Sequence, residues 1–67
     1  MKESEQEDIV LYVIKKYGRP IGIQPLHRGI QVETDKRKLE QFDWIQTLKN
    51  LEEKGLIECV DGFIKCK

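Results

Sequence analysis

At 67 residues the chain is a single domain, close to the smallest size at which a hydrophobic core supports folding unaided. With 39% hydrophobic and 36% charged residues it has the composition neither of a disordered polymer nor of a membrane protein, and its longest apolar run, Ile9 to Ile14, falls far short of the ~20 residues that span a bilayer. Twelve basic residues cancel twelve acidic ones, which counts against a protein held to nucleic acid by bulk charge alone, although the distribution of charge matters more than its sum.

The opening stretch, Lys2 to Asp8, is acidic and lacks the basic start and apolar stretch of a signal peptide, so a cytoplasmic location is expected. A first helix is expected over residues 4–18. Ser4 and Glu7 have capping-box spacing, acids lie at the positive end of the helix dipole, and Lys15 and Lys16 lie at the negative end. Ile9, Val10, Val13, Ile14 and Tyr17 form one apolar stripe at helical spacing, and Gly18 stops the helix with Pro20 just beyond. Leu11 and Tyr12 fall outside the stripe; they are either partly covered surface residues or a homodimer contact on this helix.

Residues 19–24 read as a short extended connector in which Ile21 and Ile23 face inward on either side of Gly22. Pro25 suits the first turn of a second helix. That helix is expected to be short, Pro25 to Ile30, with Leu26 and Ile30 facing the core and Gly29 weakening it. Gln31 to Gln41 is ambiguous: a one-turn extension, an extra helical turn, or a third helix beginning near Asp35 with Thr34 or Asp35 as its cap. Further on, Trp44, Ile45, Leu48, Leu51 and Glu52 project to one side at about 100° per residue, and Asp43, Gln46, Asn50 and Glu53 to the other. Leu39 does not fit the same stripe, which requires a break near residues 39–42. Gly55 ends the third helix.

The last twelve residues give the clearest local signal. Leu56–Val60 and Phe63–Cys66 flank Asp61-Gly62, the two-residue turn of a type I′ hairpin. The implied register pairs Val60 with Phe63, Cys59 with Ile64, Glu58 with Lys65 and Ile57 with Cys66. One face then carries Ile57, Cys59, Ile64 and Cys66, and the other a Glu58–Lys65 ion pair. Cys59 and Cys66, with a lone histidine at His27, cannot make a four-ligand zinc site and are not a CxxC pair. Two reduced, buried thiols are expected, and no cofactor or metal is implied.

The order helix, short strand, short helix, longer helix, hairpin resembles that of the winged helix-turn-helix domain, an α+β, mainly helical fold. Leu48-Lys49-Asn50-Leu51-Glu52-Glu53-Lys54-Gly55-Leu56-Ile57 is similar to the segment that closes the recognition helix and enters the wing in many prokaryotic winged-helix regulators. Pro20-Ile21-Gly22-Ile23 likewise resembles the small strand that pairs with the wing. The resemblance covers nearly the whole chain but specifies only the superfamily, and the long Gln31–Gln41 segment departs from its usual tight turn.

What the resemblance implies is double-stranded DNA binding in transcription control, with the third helix in the major groove and the wing on the backbone. Gln46 and Asn50, with Thr47 nearby, are then the candidate base readers. Lys36, Arg37, Lys38 and Lys49 are the candidate phosphate contacts, with Arg28 and Lys65 weaker ones. The plain alternative is that these residues form a solvated helix face, with Asp43 and Glu53 repelling phosphate. A winged helix used for protein docking is the rival function. Catalysis is not expected, since no nucleophile has a partner base in the sequence.

Overall fold

The computed structural model describes residues 2–67. The elements follow in the order α1 (Glu3–Tyr17), β1 (Ile21–Gly22), α2 (Ile23–Lys36), α3 (Trp44–Glu53), β2 (Ile57–Val60) and β3 (Phe63–Cys66). The strands form one antiparallel sheet in the order β1-β3-β2. This is an α+β, mainly helical, winged-helix layout: three helices, a short strand after the first, and a C-terminal hairpin.

The hairpin has the register read from the sequence: Ile57 with Cys66, Glu58 with Lys65, Cys59 with Ile64, Val60 with Phe63. Asp61 and Gly62 both take positive φ, 52° and 81°, as a type I′ turn demands. The inner face rests on α1 and α3, where Ile57 and Ile64 are buried. Cys59 lies on that face towards the turn and is exposed, while Cys66 is half-buried. The expectation of two buried thiols is corrected accordingly. β1 adds to the outer edge of β3, Ile21 opposite Ile64.

α1 buries Ile9, Val10, Val13 and Ile14, and Gly18 ends it in a left-handed conformation (φ 78°). Two expectations fail here. The capping box does not form, because the helix begins at Glu3 with Lys2 as the N-cap, which leaves Ser4 inside the first turn and no side-chain cap; Glu7 is instead engaged by Lys54, just after α3, at 2.6 and 2.9 Å. Tyr17 is exposed rather than part of the stripe, since the helix ends there and the Arg19 guanidinium, not the core, lies over its ring. Leu11 packs against the core, leaving Tyr12 as the exposed apolar residue of the pair.

α2 departs most from expectation. It begins at Ile23, which is exposed and helical rather than the inward end of a strand. Pro25 is its third residue, still among the positions whose N–H has no partner within the helix. The helix then continues past Ile30 to Lys36, so neither Thr34 nor Asp35 caps a third helix. Leu26, Ile30 and Thr34 make one buried line, with the Thr34 hydroxyl donating to the Ile30 carbonyl. Gly29 lies where α2 crosses α1: a Cβ there would sit 2.6 Å from Val13 Cγ1, so the glycine permits the close approach rather than merely weakening the helix.

α2 and α3 end in the same way. Leu39 N–H donates to Thr34 O and Lys38 N–H to Asp35 O; Leu56 N–H donates to Leu51 O and Gly55 N–H to Glu52 O. Both are Schellman motifs, which place one left-handed residue after the helix. That residue is Gly55 in α3 (φ 76°) but Lys38 in α2 (φ 56°). Asp43 caps α3, its Oδ1 accepting from Gln46 N–H at 3.1 Å. The buried face of α3 is Thr47, Leu48 and Leu51. Ile45 and Glu52, expected on it, are exposed.

Candidate interaction surface

The nine residues singled out for nucleic acid do not converge on one surface. Thr47 cannot read a base. It is buried, and its hydroxyl donates to the Asp43 carbonyl at 3.1 Å. Gln46 Nε2 donates to Asn50 Oδ1 at 3.2 Å, and Asn50 Nδ2 in turn donates to Glu3 Oε1 at 3.2 Å. With Gln6 and Asp43 these side chains line a polar hollow between the starts of α1 and α3. The two candidate base readers therefore sit between carboxylates, one from α1 and one from the cap of α3.

The candidate phosphate contacts are dispersed. Arg37 is paired with Glu33 at 3.4 Å and lies 5.6 Å from the Tyr12 ring centroid. Lys36 lines a groove between α1 and α2, and Arg28 a separate hollow beside Tyr17, Gln24 and Pro25. Lys38 serves as the left-handed residue after α2. Lys65 is paired with Glu58 at 3.1 Å on the outer face of the hairpin, as expected from the register. Only Lys49 stands exposed on α3 outside any ion pair among the described residues.

Charge over the third helix and wing is acidic. Residues 43–66 contain Asp43, Glu52, Glu53, Glu58 and Asp61 against Lys49, Lys54 and Lys65, with Lys54 paired to Glu7 and Lys65 to Glu58. The first pairing raises the Lys54 pKa, chiefly through the hydrogen bond to Glu7 and only then through its charge. Within this acidic surface lie exposed Ile45 (53%), Leu56 at the entry to the wing, and Val60 and Phe63 at its tip. Ile45 and Glu52 are seven residues apart, hence on one side of α3, and the Glu52 carboxylate acts on Cys59 of the wing. Partial desolvation first, then that carboxylate, push the Cys59 thiol above its ordinary pKa.

Sequence reasoning missed several contacts that join distant segments. His27 stacks on Trp44, ring centroids 5.0 Å apart and 18° from parallel, and so ties α2 to the start of α3. Glu3 and Glu7 reach across to α3, and Tyr12 gathers Lys16 and Arg37 over its ring. Only the last had a local signal, a tyrosine outside the apolar stripe with a lysine one turn on.

Comparison with protein-family models, with curated proteins and with solved structures finds no match for this chain. Among the described residues no helix is long and apolar enough to cross a membrane.

Proposed function

We propose that this chain is a winged-helix protein-docking module, in which the outward side of α3 and the wing receive a basic, amphipathic segment of a partner. The observation that carries this reading is the makeup of that surface. On α3, Lys49 is outside any ion pair among the described residues and stands with Glu52 and Glu53, and Ile45 is exposed on the same side as Glu52. Apolar residues set among charges of one sign favour a partner that offers an apolar anchor and the opposite charge. A phosphate backbone carries the same sign as this surface and is repelled. Free thiols at Cys59 and Cys66 fit a reducing cytosol.

The test uses a lysine–leucine amphipathic helical peptide titrated into labelled protein and followed by NMR. Shift changes are expected at Ile45, Lys49, Glu52, Cys59 and Val60, and Ile45→Asp, an exposed substitution, should remove them without loss of fold. Changes confined to other residues, or a response indifferent to Ile45→Asp, would contradict the assignment.

Duplex DNA binding is the second reading, favoured by the winged-helix layout with Gln46 and Lys49 open on α3. It requires the Glu3–Asn50–Gln46 chain to break so that both amides turn outward. Affinity under this reading falls with salt, and falls on Lys49→Ala.

A further inference from the structure

We propose that a second copy of this chain docks antiparallel on the exposed face of α1, with a twofold axis at Tyr12. The inference stands apart from the α3–wing reading, because it uses the side of α1 turned away from α3. Glu3 and Glu7 point to α3 and are engaged there. Glu5, Asp8, Tyr12 and Lys16 lie within about 80° of one another around the helix at about 100° per residue, and all four are exposed.

The order of charge along this face is self-complementary. Asp8 precedes Tyr12 by four residues and Lys16 follows it by four, all three within α1. A twofold axis through Tyr12 brings each Asp8 opposite the partner's Lys16. Such reciprocity is what an isologous interface requires, and antiparallel helices also oppose their dipoles favourably. Glu5, Asp8, Lys16 and Arg19 make no ion pair among the described residues, whereas Glu7, Glu33 and Glu58 each have one. Lys16 and Arg19 instead lie over tyrosines, 5.5 Å from the Tyr12 centroid and 5.2 Å from that of Tyr17.

Beside this face runs an apolar groove of about 300 Å³ between α1 and α2, lined by Tyr12, Tyr17, Pro25, Val32 and Lys36 among others. Val32 (49% exposed) and Tyr17 (41%) flank the axis and supply the apolar area that charge alone cannot. One helix face with two flanking side chains is at the low end of interface size, so the dimer is a concentration-dependent one.

The experiment is sedimentation equilibrium across the micromolar to millimolar range on wild type, Asp8→Lys, Lys16→Asp, and an equimolar mixture of the two variants, each first checked for native far-UV circular dichroism. Wild type is expected to approach twice the chain mass at low salt and to weaken at high salt. Each variant alone opposes like charges and should dimerise at least roughly tenfold more weakly. Mixed, the two variants restore both pairs and should dimerise at least as well as wild type. A wild type that stays monomeric throughout, or variants that associate no better mixed than alone, overturns the proposal.

Discussion

A methyl group added at Gly29 has nowhere to go, because Val13 Cγ1 stands 2.6 Å from where it would lie. Gly29→Ala gains about 1 kcal/mol of helix propensity but overpacks the α1–α2 crossing at a cost of roughly 1–3 kcal/mol. Net destabilisation is expected in denaturant unfolding. In a Val13→Ala background the clash is gone and the same substitution should become neutral or stabilising; an unchanged effect in both backgrounds would show that the helices do not meet there. Lys38 is the converse case. A lysine at φ 56° bears a left-handed penalty of roughly 1–2 kcal/mol, partly offset by the flexibility of glycine when unfolded. Lys38→Gly should therefore raise the melting temperature, by up to about 1 kcal/mol in stability. Cys59, exposed but with its thiol pushed up by partial desolvation and by Glu52, should react with a thiol reagent in the native state. Its reaction should set in at higher pH than a free thiol. Glu52→Gln removes one of the two causes and should move the onset to lower pH; no movement would mean that the carboxylate does not face the sulfur.

At the scale of elements, the register of the hairpin was legible in full and the helices only in part, for reasons that particular residues explain. Period-two alternation and a two-residue Asp-Gly turn leave only one register for residues 56–66, and it is the register observed. Core faces on α2 and α3 were misread through two threonines. Thr34 and Thr47 each donate their hydroxyl to a carbonyl four residues back, which satisfies the only polar group they carry and lets them pack as apolar residues. Read as polar, Thr34 becomes a candidate cap for a third helix, and Thr47 a neighbour of the candidate base readers. The contrast is measurable. Leu51→Ala, at a fully buried position, should cost roughly 2–5 kcal/mol, whereas Ile45→Ala should change stability by no more than about 0.5 kcal/mol. Equal losses at the two sites would place Ile45 in the core after all. Of the candidate site, the exposure of Lys49 and the Glu58–Lys65 pair could be read locally. The bond from Asn50 to Glu3 spans 47 residues, and no local pattern announces it.

Over the whole molecule, zero net charge conceals a division. Acids gather where the first turn of α1 meets α3 and continue through the wing, while Lys15, Lys16, Arg19, Lys36 and Arg37 gather about the end of α1 and the α1–α2 groove. A winged-helix layout thus presents an acidic surface where the resemblance to regulators implies a basic one, and that inversion is the central claim. Titration of a mixed-sequence duplex by fluorescence anisotropy at low ionic strength tests it most directly, comparing wild type with Glu52→Lys/Glu53→Lys. Wild type should show no saturable binding, and the charge-reversed protein should acquire salt-sensitive affinity. Tight wild-type binding that weakens with salt and is lost on Lys49→Ala would contradict the account.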